Sequence, residues 1–264
     1  MSEDELQLRI YGDDSRQTLI YLPGLHGDWT LIGPFRRAIG NKVRFVEVVY
    51  PRTLTWSLDD YAEAIENALT TSGITQGWLL GESYGSQVLW PLAGRGNFKA
   101  QGLILAGGFV KHPMRRTVLW TEKLTARIST SFFVWLIFGT AKIARYRCRR
   151  SPEKIAFINE FILRRTPLDR QAAQHRLRLI ARNDPCSIAR TTTTPVFALT
   201  GSFDPIVPWR PVRRWLQRNC PALRDFKVFT NSDHNVLRTS ATSAASQILE
   251  WMMENRDLQK PATG

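Results

Sequence analysis

Cysteine is scarce in this sequence. Three occur in 264 residues, Cys148, Cys186 and Cys220, and none has a Cys-x-x-Cys spacing. An odd number cannot pair fully within one chain, and a reducing compartment is the expectation. Long apolar runs are lacking as well. The longest, Phe132-Phe133-Val134-Trp135-Leu136-Ile137-Phe138, is far short of the roughly 20 residues that cross a bilayer. The opening Met1-Ser2-Glu3-Asp4-Glu5-Leu6 has neither the basic start nor the apolar stretch of a secretory leader, and the expected location is therefore cytoplasmic. Histidine is limited to four positions. With no histidine pair, acidic cluster or glycine-rich phosphate loop, no metal or nucleotide cofactor is expected.

What is present suits a globular fold. Apolar residues make up 43% of the chain and aromatic residues 11%, enough to bury a substantial core. The length falls within what one open α/β unit fills. The formal net charge of +13 is concentrated in one place: residues 111–190 hold 18 Lys and Arg against 5 Asp and Glu, leaving 18 of each sign in the remainder. A middle segment is basic and everything around it is formally neutral.

Outside that segment, β-rich runs alternate with helical patterns, which predicts a mostly parallel sheet covered by helices on both faces. Residues 6–11 read as an edge strand. Residues 18–22 and 43–50 read as buried strands that stop at Pro23 and Pro51. Helices are expected over 30–39 and 58–69, the second with Ser57 as N-cap and Asp59 and Asp60 in its first turn. Strands follow at 77–80 and 102–106. The alternation stops after Gly107-Gly108 and resumes at residues 195–200, with a last strand at 225–229 and a C-terminal helix over about 236–253. The division expected is a core of residues 1–110 and 191–264, with residues 111–190 as an inserted basic helical cap.

Within this frame, Gly81-Glu82-Ser83-Tyr84-Gly85 forms a G-x-S-x-G pattern between an apolar strand and a helical segment. A serine on a sharp strand-to-helix turn adopts a strained backbone and lifts its hydroxyl clear of the sheet, and small flanking residues avoid collision. The amide of Tyr84 then sits at a helix N-terminus, suited to stabilise a developing oxyanion. A serine hydroxyl needs a base, and His234, in the loop after the last strand, comes to the same sheet edge. His112 and His175 fall in the basic segment and read as surface or packing residues, and His26 reads as a structural loop residue. Asp204, directly after the strand that ends at Thr200, is placed to orient the imidazole; Asp233, adjacent to His234, is a poor geometric partner.

The order Ser83, Asp204, His234, together with Leu22-Pro23-Gly24-Leu25-His26-Gly27 and Gly201-Ser202-Phe203-Asp204-Pro205-Ile206-Val207-Pro208, resembles the α/β-hydrolase family over nearly all of the chain outside residues 111–190. The resemblance implies an α/β-hydrolase fold, a nucleophilic serine, an acyl-enzyme intermediate, no cofactor, and an oxyanion hole of two backbone amides. One is Tyr84. The second comes from the loop after the first buried strand: Leu25 if Pro23-Gly24 takes the family's His-Gly position, Asp28 if His26-Gly27 does. Leu25 is preferred because the β-rich run ends at Pro23. A serine at position 83 sets the chain apart from relatives with an aspartate nucleophile, and hydrolysis of a carboxylic ester is the expected reaction. Acyl transfer, thioester hydrolysis or lipid and acyl binding is the alternative.

The resemblance also implies that residues 111–190 cover the site and shape its pocket. Phe132, Phe133, Trp135, Leu136 and Phe138 read either as an acyl channel or as packing onto the sheet domain. The neighbouring run Lys142-Ile143-Ala144-Arg145-Tyr146-Arg147-Cys148-Arg149-Arg150 reads as a solvated charged face or as a contact for an anionic membrane surface or an acidic carrier protein. No recognised motif accompanies the charge, which argues against nucleic acid. If the run rests on lipid, co-sedimentation should show stronger partitioning onto anionic than onto neutral vesicles; equal partitioning refutes the membrane reading.

Overall fold

The computed structural model describes residues 5–114 and 166–259. Seven strands alternate with helices along these segments: β1 (Gln7–Tyr11), β2 (Thr18–Leu22), β3 (Arg44–Val49), β4 (Gln76–Glu82), β5 (Lys99–Ala106), β6 (Val196–Gly201) and β7 (Leu223–Phe229). They form one sheet in the order β1-β3-β2-β4-β5-β6-β7. β1 runs antiparallel to β3, and the other five pairings are parallel. The expected mostly parallel α/β architecture is the one observed, with the 6–11 strand on an edge.

The period of two along each strand explains the two layers of core. Every residue of β2 is buried, and its side chains divide between the faces. Ile20 and Leu22 join Val46, Val48, Leu79, Leu103 and Leu105 on one face. Leu19 and Tyr21 join Phe45, Trp78, Leu80 and Ile104 on the other. Helices α2 (Leu58–Thr71), α3 (Gly85–Arg95) and α6 (Trp209–Asn219) cover the first face through Ile65, Leu69, Val88, Leu92, Val212 and Leu216. The opposite face is covered by α1 (Gly33–Ile39) and α8 (Ala241–Gln259) through Phe35, Ile39, Ala244, Ile248 and Trp251.

Local chemistry sets the helix ends. Ser57 and Asp60 form a reciprocal capping box at the start of α2. α1 begins at Gly33 rather than Thr30, because Thr30 N–H donates to Asp28 Oδ1 at 2.9 Å and turns the chain first. The C-terminal helix is two: α7 (Val236–Thr239) ends at Ser240 and α8 follows. α6 has no counterpart in the strand-and-helix pattern read from the sequence.

Part of the basic stretch is described, as α4 (Pro167–Arg182) and α5 (Cys186–Thr191). α4 carries its own capping box, Thr166 with Asp169, and Pro167 in its first turn. The aromatic run 132–138, the basic run 142–150 and Cys148 lie outside the described residues, while Cys186 and Cys220 are free thiols. Among the described residues no helix is long and apolar enough to cross a membrane. Replacing Ser57 by Ala removes one half of the α2 box and should lower stability by about 1 kcal/mol, read as a lower urea midpoint at unchanged slope.

Candidate active site

The parallel run of β4, β6 and β7 brings three loops to the C-terminal edge of the sheet, where open α/β sheets hold their ligands. β4 passes into α3 through a turn of two residues, Ser83 and Tyr84. Ser83 has φ +50°, a left-handed conformation costly for a residue with a side chain. The turn is compressed around it. A Cβ on Gly85 would lie 2.1 Å from the Leu22 carbonyl oxygen, and one on Gly81 would lie 2.8 Å from the Ser86 nitrogen. Ser83 N–H donates to the Ala106 carbonyl at 2.9 Å, which ties the turn to the end of β5.

Ser83 Oγ lies 2.8 Å from His234 Nε2, and His234 Nδ1 lies 2.7 Å from Asp204 Oδ2. Asp204 is an acceptor toward Nδ1, so that nitrogen carries the proton and Nε2 faces the serine hydroxyl with its lone pair. The other oxygen, Asp204 Oδ1, accepts from the amides of Ile206 and Val207 at 2.9 and 2.8 Å, which fixes the carboxylate plane. The Asp204 side chain is fully buried and His234 nearly so, whereas Ser83 retains exposure. The two loops are laced together: Ser202 N–H donates to Phe229 O and Phe203 N–H to Ser232 O. Asp233 points elsewhere, accepting from the amide of Asn235 at 2.9 Å.

Ser83 and His234 open into a cavity of about 350 Å³ with mostly apolar walls, among them Leu25, Phe109, Leu177, Ile180 and Val207. Leu177 and Ile180 come from α4, so the described part of the 111–190 stretch forms one wall. Leu25 lines this cavity and Asp28 does not; Tyr84 is the N-cap of α3, directly after the serine. A larger groove of about 1280 Å³ lies at the opposite, N-terminal edge of the strands, beside Thr18, Arg44 and Gln76, and holds none of these three residues. The smaller cavity is the one with chemistry in its wall.

Of the remaining histidines, His26 lies against Gly24 and lines the cavity, and His175 Nε2 is 2.7 Å from the Trp56 carbonyl. His112 is a buried wall residue, edge-on to Phe109 at 4.9 Å. Met114 N–H donates to its Nδ1 at 3.2 Å, which leaves the proton on Nε2. Burial, reinforced by nearby His234 and opposed by Asp204, holds the His112 imidazole below its usual pKa.

Two further side chains at the site carry no local sequence signal. Glu82 is buried beneath the turn and accepts from the Tyr21 hydroxyl; burial raises its carboxyl above the usual range despite that bond. Arg176, only 2% exposed, reaches down from α4 and donates from Nη1 to the Leu25 carbonyl at 2.9 Å and from Nη2 to the Pro51 carbonyl at 3.0 Å. Their only sequence traces are a charged residue inside a glycine turn and an arginine within an otherwise amphipathic helix. Among the described residues no group of three or more His, Cys, Asp or Glu is arranged to hold a metal ion.

A family model described as serine aminopeptidase, S33 matches residues 48–240. No curated protein sequence matches the chain. Among solved structures, a thermophilic esterase from Thermogutta terrifontis superposes with a TM-score of 0.76 at 18% identity, over 95% of this chain and 93% of that one. An enol-lactonase from Burkholderia xenovorans gives 0.75 at 15% identity over 94% and 96%, and an esterase from Exiguobacterium antarcticum 0.73 at 15% over 93% and 94%. At these identities the likeness is one of fold. The tight turn itself can be tested by Gly85→Ala: the added methyl has to displace the β2 main chain, and destabilisation of more than about 3 kcal/mol, or failure to fold, is expected in chemical denaturation.

Proposed function

The chain belongs to the serine aminopeptidase S33 family of α/β-hydrolases, and from that premise we propose that it is a serine hydrolase cleaving a carboxylic ester of a moderately apolar acid. The observation that carries this reading is the continuous hydrogen-bonded chain from Ser83 Oγ through His234 to Asp204, at 2.8 and 2.7 Å, beside an apolar cavity.

In the proposed reaction the substrate acyl group lies in the cavity with its carbonyl carbon over Ser83 Oγ. His234 Nε2 takes the hydroxyl proton as Oγ attacks, and Asp204 stabilises the imidazolium through Nδ1. The carbonyl oxygen becomes an oxyanion held by the backbone amides of Tyr84 and Leu25. Collapse expels the alcohol, which receives the proton from His234 and leaves Ser83 acylated. Water then enters, gives a proton to His234 and attacks the acyl carbon, and release of the acid returns the proton to Ser83. Residues 111–190 act as the cap that shapes the acyl pocket, a role supported by the Leu177 and Ile180 wall.

An ester is favoured over a peptide with a free amino terminus. Recognition of an ammonium group calls for a carboxylate at the cavity. Among the described residues the acidic side chain lining the cavity is Glu82, which is engaged by Tyr21, and the nearby Asp204 is engaged by His234 and two amides.

The test is hydrolysis of p-nitrophenyl esters from acetyl to palmitoyl, with aminoacyl p-nitroanilides as the contrasting series. Wild-type protein should turn over esters. Ser83→Ala and His234→Ala should each lower kcat by about 10³-fold or more, and Asp204→Asn should do so through loss of the imidazole's tautomer. All three variants should retain the wild-type circular dichroism spectrum. Ester turnover that survives Ser83→Ala, or turnover of anilides alone, overturns the reading.

A further inference from the structure

Three tyrosines carry their hydroxyls into the interior on the α2–α3 face of the sheet. Tyr50 follows β3, Tyr61 belongs to α2, and Tyr84 follows the serine; Tyr50 is 4% exposed and the other two are fully buried. Their rings meet edge-on, with centroids 5.1 Å apart for Tyr50 and Tyr61, 5.9 Å for Tyr50 and Tyr84, and 6.3 Å for Tyr61 and Tyr84. Among the described residues none of the three hydroxyls, nor Nε of Arg176, has a hydrogen bond of good geometry, although the Arg176 guanidinium stands close enough to Tyr61 to oppose the effect of burial on its phenol. The guanidinium reaches the same place, its Cζ lying 5.5 Å from the Tyr50 ring centre.

A buried polar atom without a partner is costly, and a buried charge without a counter-charge far more so. The remaining Arg176 nitrogens donate to two main-chain carbonyls, Leu25 and Pro51, which are neutral. No carboxylate faces the guanidinium among the described residues. Burial raises the phenols of Tyr50 and Tyr84 well above their usual pKa and that of Tyr61 above it as well. All three therefore keep an O–H to donate. The cluster is thus rich in donors, carries one net positive charge and offers no anionic acceptor. Water would satisfy hydroxyls but leave the charge uncompensated; a metal cation would be repelled.

We propose that the hydroxyls of Tyr50, Tyr61 and Tyr84 and Nε of Arg176 form an internal binding site for a small monovalent anion of the halide class. The site is separate from the serine and does not depend on the reaction assigned to it. It lies behind the loop that bears Leu25, since Arg176 grips that residue's carbonyl, and behind the turn that bears Tyr84. An ion held there braces both.

The experiment uses the full chain in two forms. Crystals grown in sodium bromide, measured at the bromine absorption edge, should give an anomalous peak within hydrogen-bonding reach of the three hydroxyls and Arg176 Nε. In solution, replacing sodium gluconate by sodium chloride or bromide at equal ionic strength should raise the thermal midpoint by about 2–4 °C. That increment should shrink in Tyr61→Phe and persist in Tyr11→Phe, a change elsewhere in the fold. A site filled by water with no anomalous signal overturns the proposal. A bromide peak with equal midpoints in halide and gluconate means an adventitious ion only and overturns it too. Should Tyr61→Phe fail to fold, the wild-type diffraction and the salt comparison still decide.

Discussion

The structure depends on how closely helix α3 sits against the end of strand β2. Main chain meets main chain at Gly85 and Leu22, with no room for a single methyl group between them. This contact forces β4 to turn into α3 within two residues, and the short turn in turn forces Ser83 to a positive φ. Strain of this kind persists only where the surroundings over-determine it. Here they do so through the parallel pairing of β4 with β2 and β5 and the bond from Ser83 N–H to Ala106. The hydroxyl is presented by packing of the sheet, without any flexible loop.

The polar groups around the turn follow the same logic of enforced placement. Asp204 has two amides on one oxygen and an imidazole on the other, so its carboxylate has one orientation. Glu82 is buried on the far side of the strand from the helix layer of α3 and relies on Tyr21 for its partner. Arg176 carries the restraint outward: one side chain of α4 joins the loops after β2 and β3 through their carbonyls. The described part of the basic stretch is therefore bound to the sheet domain by a buried cation, while the ion pair of Arg52 with Asp169 lies nearer the surface.

Much of this was legible in the residue pattern, because the features concerned are local. The compact β-rich runs of β2 and β3, the proline stops, the Ser57 cap and the glycines around Ser83 each act within a few positions. α6 was not read because Arg210, Arg213, Arg214 and Arg218 mask its short apolar stripe, although Val212 and Leu216 stand one helical turn apart and are both buried. The single C-terminal helix became two where Ser240 ends α7. His112 reads as a surface or packing residue, and the structure buries it in the cavity wall. Arg176 is not singled out by the sequence, and its burial rests on carbonyls 125 and 151 positions away, a separation at which pattern carries no information. The spatial convergence of Ser83, Asp204 and His234 belongs between these cases: each loop was placed by its strand, but the distances between them required the sheet order.

That order has a temporal side. Ser83 and its hydrogen-bond partner His234 are 151 positions apart, and His234 and Asp204 are 30 apart. As the chain leaves the ribosome, β2, β4 and the glycine turn emerge long before β6 and β7. A nascent chain that has already folded its first five strands thus exposes the serine with no imidazole beside it. On the proposed mechanism the hydroxyl is inert at that stage. In that reading the last two strands to be synthesised are the ones that arm it, and a chain interrupted before His234 carries the turn but not the proposed chemistry.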